Sequence, residues 1–185
     1  GQNAASLYQG DYSVAIGTLA GQTTQRGYAV AIGNQAGQTD QSGNCVAMGY
    51  FAGNNTQGEY AVAIGNSAGE TIQGEYSVAI GNQAGKNNQG EYSVAIGNNA
   101  GNNSQSESVA IGNNAGNNSQ SESVAIGYQA GLSSQSDSVA IGYNAGLSSQ
   151  SDSVSIGYQA GLSGQSDSVA IGYDAGNTSQ GQDSV

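Results

Sequence analysis

The chain has 185 residues with 31 glycines and no proline, and thirteen acids against two bases give it a net charge of −11. So few bases exclude nucleic acid and anionic membranes as partners, since both are recognised through basic patches. One Phe, no Trp and an apolar content made mostly of Val, Ile and Ala exclude a large central core.

In chain order, residues 1–13 read as a partial coil, with Ala4, Gln9 and Tyr12-Ser13 already in phase with the later coils. From residue 14 a single pattern takes over. Valines stand at 14, 30, 46, 62, 78, 94, 109, 124, 139, 154 and 169, and Val185 opens a twelfth copy. Each is followed by Ala (Ser155 once), Ile (Met48 once), Gly, two variable residues, Ala and Gly. A Gln stands eleven places after every valine, from Gln25 to Gln180. Residues 14–185 are therefore one domain of eleven coils of 15–16 residues running into a twelfth. A fixed short period means a solenoid, in which each coil stacks on the last. The spacing is sixteen up to Val94, fifteen from Val94 to Val169, and sixteen again to Val185. The first block carries a tyrosine two places before most valines: Tyr12, Tyr28, Tyr60, Tyr76 and Tyr92. The fifteen-residue step deletes it, and from Val124 a new column appears four places after the valine: Tyr128, Tyr143, Tyr158 and Tyr173. Leu132, Leu147 and Leu162 accompany it.

Within a coil, Ser-Val-Ala-Ile alternates with period two, so Val and Ile share one face and Ser and Ala the other. The Gly after Ile ends the strand, and the Gln-Ser-Asp or Gln-Gly-Glu cluster turns the chain back. The expectation is an all-β, parallel β-solenoid with two short strands and two turns per coil. Strands about 4.8 Å apart make eleven coils a rod of roughly 50 Å. The glutamines then line up to hydrogen-bond side chain to side chain along the axis. Val14, Ile16, Val78, Ile80, Val94, Ile96, Val139 and Ile141 are assigned to the coil interior. The near-constant alanines Ala79, Ala95, Ala110, Ala125 and Ala140 leave no room for bulk on the opposite face, and they are assigned to contact with sister chains. Shortening the period at Val109 is expected to change the cross-section without breaking the Val and Ile columns.

The word Ser-Val-Ala-Ile-Gly, as at Ser77–Gly81, Ser108–Gly112 and Ser138–Gly142, resembles the head repeats of trimeric autotransporter adhesins, the YadA-like heads. The resemblance covers essentially the whole chain, although the family repeat is often about fourteen residues. It implies a left-handed β-roll, a parallel homotrimer and binding to host surface or matrix proteins. Similar arrays occur in fibre proteins of phages and large viruses.

Other chemistries find little in the residues. There is no His, Cys45 is the only thiol, and no Ser is set beside a base, so no catalytic group is assigned. Gly-x-x-Ala-Gly lacks the Gly-Lys-Ser/Thr of a phosphate loop and reads as a structural turn. The acids Glu59, Glu75, Glu91, Glu107, Glu122, Asp137, Asp152 and Asp167 form a column that reads as solvated turn charge, blocking lateral aggregation. A cation site between rungs would need more oxygens than one acid per coil supplies. No cofactor or metal is expected. No apolar run reaches the ~20 residues of a membrane span. The Tyr128/Tyr143/Tyr158/Tyr173 and Leu132/Leu147/Leu162 columns are the candidate recognition surface, toward a receptor or a sister chain. These readings describe an extracellular adhesin head or fibre rod partnered by itself and by a host or surface receptor. The alternatives are a ligand-free filament built by end-to-end stacking and, more weakly, an ice-binding solenoid. Neither end looks like a cap, so both are expected to continue into more protein.

Overall fold

The computed structural model describes residues 1–178, 180 and 183–185, and among these the only regular elements are strands and turns. Eleven three-residue strands, from Val14–Ile16 to Val169–Ile171, stack into one parallel sheet. Ten strands of two to four residues, from Tyr8–Gln9 to Ser148–Ser151, stack into a second. The two alternate along the chain as far as Val154–Ile156, after which the second sheet continues only as isolated bridges from Ser148 to Ser163 and from Ser151 to Ser166. The protein is an all-β solenoid of parallel coils.

Register is set by identity. Val78 pairs with Val94, Ala79 with Ala95 and Ile80 with Ile96, and Gln89 pairs with Gln73 and Gln105. The register survives the change of period, since Val94 pairs with Val109 and Ile96 with Ile111. The lost residue comes out of the turn, and the glutamine strand lengthens to compensate. That strand has two residues at Thr24–Gln25 and Asp40–Gln41, three at Asn87–Gln89, and four from Asn103–Ser106 onward.

The turns need unusual backbone, and the sequence supplies it. The Gly after each Ile has φ near +130°; Gly97 is at +132° and Gly112 at +134°. A Cβ on Gly97 would lie 2.4 Å from the Gly112 carbonyl oxygen of the next coil, so the column admits only glycine. In the sixteen-residue coils the residue two before the valine is left-handed, at Tyr28, Asn44, Tyr60, Tyr76 and Tyr92. After the deletion that conformation passes to the acids Glu107, Glu122, Asp137, Asp152 and Asp167.

The inside and outside of the coil are the reverse of the sequence expectation. Ala79, Ala95, Ala110, Ala125 and Ala140 point into the coil, at 0–1% exposure within the single chain. Val14 and Ile16 are 40% and 57% exposed, while Val78, Ile80, Val94, Ile96, Val139 and Ile141 are half-buried on the outer face. The expected alternation is present, with its two sides exchanged. The reason is steric. Two facing strands joined by tight turns leave an interior so narrow that an ideal Cβ on Gly116 would lie 3.0 Å from the Ala110 Cβ. Only Ala, Ser, the single Cys45 and a flat amide fit there; a branched side chain does not.

Candidate functional site

The interior is lined by four columns. Two are alanine, one is the Ser, Ala or Cys that precedes each valine, and the fourth is the buried glutamine. The glutamines bond mostly to backbone rather than to one another. Gln41 and Gln57 each donate to the next glutamine's Oε1, at 3.0 and 3.2 Å, as expected for a ladder. In the sixteen-residue coils Nε2 also reaches across the coil to the valine carbonyl, as from Gln73 to Val62 O at 2.8 Å and from Gln89 to Val78 O at 2.8 Å. After the period shortens it turns instead to the Ala-Gly turn of the next coil. Gln105 donates to Gly116 O at 3.0 Å and Gln120 to Gly131 O at 2.9 Å. Oε1 of Gln105, Gln120 and Gln135 is buried without a donor, as is that of Gln41 and Gln89 in the sixteen-residue coils. Gln150 escapes because Ser155, standing where other coils have Ala, donates to its Oε1 at 3.3 Å. The serines before the valines form a second ladder, in which Ser123 N donates to Ser108 Oγ at 3.2 Å and Ser138 N to Ser123 Oγ at 3.2 Å.

Cys45 sits in this interior at a position where neighbouring coils have Ala29 and Ala61. Its Sγ donates to Gly58 O at 2.7 Å. Burial raises the thiol pKa to about 11, which keeps it protonated and inert.

Because the interior takes only small residues, the larger apolar side chains line the outside. The Val and Ile columns run the length of the first sheet as a continuous half-exposed apolar face. Both flanks of this face carry stacked tyrosines. On the flank before the valines, Tyr60, Tyr76 and Tyr92 stack at 5.1 and 5.3 Å, and Tyr12 stacks on Tyr28 at 5.1 Å. The Tyr76 hydroxyl pKa is raised, first by partial desolvation in the stack and then by Tyr60, Tyr92 and the nearby glutamates.

On the flank after the isoleucines, the exposed Tyr128, Tyr143, Tyr158 and Tyr173 stack at 4.9, 5.2 and 4.9 Å. The same flank holds an amide ladder in earlier coils, where Asn98 donates to Asn82 at 3.0 Å and Asn113 to Asn98 at 3.2 Å. Leu132, Leu147 and Leu162 are half-buried on the next stretch of the coil. Their column begins as polar residues, including the Lys86–Glu70 ion pair at 3.6 Å. The tyrosine and leucine columns are legible in the sequence, whereas the outer Val–Ile face is not, since the alternation alone assigns it to the interior.

The acids of the turn column hydrogen-bond to the adjacent serines in the last coils, as from Ser136 Oγ to Asp137 Oδ2 at 2.8 Å. Among the described residues no three Cys, Asp or Glu side chains converge as a metal site would require, and no helix is long and apolar enough to cross a membrane.

Comparison with known families returns the YadA head domain repeat, matched in two copies over residues 73–84, 89–100 and 119–145. No curated protein and no solved structure matches the chain. The matched segments carry the same Val-x-Ile-Gly-x-x-Ala-Gly word, stacked in the same register, as the coils on either side of them. Over those segments the chain is similar to YadA head repeats.

Proposed function

We propose that the chain is the shaft of an extracellular adhesin head or fibre, assembled as a parallel homotrimer through its Val–Ile face, and that it binds surfaces through repeated side-chain columns. The carrying observation is that face. Two adjacent columns of Val and Ile line a rod of roughly 50 Å, and no other described part of the chain covers them. A contiguous exposed apolar strip of this length marks an interface. The alanines assigned to that interface from sequence are buried within one chain and cannot serve it.

Multiplicity suits adhesion without a pocket. A column that presents the same group on every coil, on each of three chains, gains strength by avidity from individually weak contacts. The Leu132, Leu147 and Leu162 column and the outer turns lie off the Val–Ile face and supply such groups.

The test has two arms. In sedimentation the chain is expected at three times its 18.3 kDa mass, and Val94→Asp is expected to sediment as a folded single chain. Screening the assembled protein against arrays of glycans and matrix proteins should then give binding that the Val94→Asp single chain loses. A native protein that sediments as a single chain refutes the assembly, and an assembled protein that binds nothing refutes adhesion in favour of a ligand-free shaft.

A further inference from the structure

The two flanks of the Val–Ile face are related coil by coil. The coil of Val14 has Tyr12 before the valine and Thr18 after the isoleucine; that of Val30 has Tyr28 and Asn34; that of Val46 has Asn44 and Tyr50. The next three have Tyr60 with Asn66, Tyr76 with Asn82 and Tyr92 with Asn98. The Val109 coil has Glu107 with Asn113. The last four have Glu122 with Tyr128, Asp137 with Tyr143, Asp152 with Tyr158 and Asp167 with Tyr173. Every coil but that of Val109 carries one tyrosine across the two flanks, and none carries two. Wherever the tyrosine stands on one flank, the other presents a short polar or acidic side chain.

Nothing inside one chain enforces this exclusion. Within a coil the two flanks stand at opposite ends of the three-residue Val-x-Ile strand, each in a turn. The stacked tyrosine contacts among the described residues run along each column, never between the two. We infer that the flanks meet across the chain–chain seam of a parallel, cyclic assembly in zero register, each coil's leading flank lying against the trailing flank of the same coil in the neighbouring chain. The inference rests on the proposed assembly and adds its register and its seam residues. Around an axis parallel to the rod, closure sets the start of one strand beside the end of the next, a head-to-tail contact. One bulky ring and one short partner then fill each level, and the phenol finds an amide or carboxylate to bond.

The Val46 coil fixes the register. There the exchange occurs in isolation: Asn44 replaces the leading tyrosine and Tyr50 replaces the trailing Thr or Asn of its neighbours. A shift of one coil in either direction would set Tyr50 against Tyr28 or against Tyr60, two rings at one level. Of these three registers only zero avoids this. The second exchange, spread over the Val109 and Val124 coils, obeys the same rule with acids in place of Asn.

The test is inter-chain cross-linking in a Cys45→Ala background, since Ala29 and Ala61 already occupy that position in adjacent coils. Tyr76→Cys is combined with Asn82→Cys on the same coil, or with Asn66→Cys or Asn98→Cys one coil below or above. Under mild oxidation the 76/82 pair should join neighbouring chains into a covalent closed set, with the 76/66 and 76/98 pairs at least about tenfold slower. A second experiment needs no thiol. Asn44→Tyr should weaken assembly about tenfold by placing two rings at one level, and adding Tyr50→Asn should restore most of it, whereas independent sites would simply add. An assembled protein that cross-links best through 76/66 or 76/98, or not at all, overturns the register while leaving the assembly standing. Additive effects at 44 and 50 overturn the seam. A native protein that sediments as a single chain overturns both this inference and the assembly beneath it.

Discussion

Ala110→Leu is the sharpest test of which side of the coil is inside. Ala110 is fully buried within its own chain, and an ideal Cβ on Gly116 would lie 3.0 Å from its Cβ and 3.0 Å from the Gln120 Cγ. Three further carbons have nowhere to go along the axis either, because Ala95 and Ala125 stand in register one rung away on each side. Overpacking a dense interior costs about 1–3 kcal/mol where neighbours can shift. Here the neighbours are backbone and the glutamine column, so the upper end or beyond is expected. The consequence spreads, since a solenoid's stability is a sum of coil and nearest-neighbour terms and a broken coil loses both interfaces. Guanidinium unfolding followed by far-ultraviolet circular dichroism should therefore show an earlier, split transition for Ala110→Leu. Val94→Asp, on the outer face, should keep the coil signal and lose the assembly. If Ala110→Leu keeps the wild-type unfolding curve and changes only the sedimentation, the alanines face outward and the assignment fails.

Gly97→Ala should block stacking altogether, because φ near +132° and a 2.4 Å approach to the Gly112 carbonyl oxygen leave no relaxed alternative; soluble expression and hydrogen exchange of the flanking coils would show it, and a folded variant with native protection would refute it. Ala140→Ser should stabilise the array by about 1 kcal/mol, by giving the bare Gln135 Oε1 the donor that Ser155 gives Gln150; an unchanged or lower denaturation midpoint counts against it. Cys45 contributes a pH dependence of defined sign. Its folded pKa of about 11 lies above the ordinary 9.0, so the unfolded chain gives up the proton first and stability falls as pH climbs from about 9 toward about 11. That component should be missing from Cys45→Ala when the two unfolding profiles are compared, and identical slopes would refute it.

The repeat, its register and the parallel pairing of like residues can be read from the sequence, because strict spacing of Val, Ile, Gly and Gln leaves few ways to stack. The same spacing cannot say which face of Ser-Val-Ala-Ile turns inward. A period of two fixes the alternation and is silent about its sign. The usual rule that large apolar residues go inside decides wrongly here, because it assumes an interior wide enough to take them. The signal that corrects it is the buried partner: a Gln at every coil needs space and bonding partners, and such a column fits opposite alanine more readily than opposite a wall of Val and Ile. The tyrosine columns are visible in the sequence as well. Their mutual exclusion across the two flanks becomes meaningful only once Val and Ile are known to lie between them on the outer surface.

The interior also bears on the whole assembly. A coil filled with Ala, Ser and amides gains little from burial, since each alanine hides only one methyl and each glutamine must recover in hydrogen bonds what it loses in hydration. The side chains able to contribute most, one Val and one Ile per coil, are left half in water. Burying the remainder of those two columns is the largest apolar gain still open to the chain, and only another chain can supply it. The proposed association would add to the stability of coils that fold within one chain, and the residues that specify partner and register would border that face. The flanks of the Val–Ile strip are where the sequence varies in concert while the strip itself stays nearly constant. In the proposed assembly the constant columns hold the chains together, and the paired flanks decide how they align.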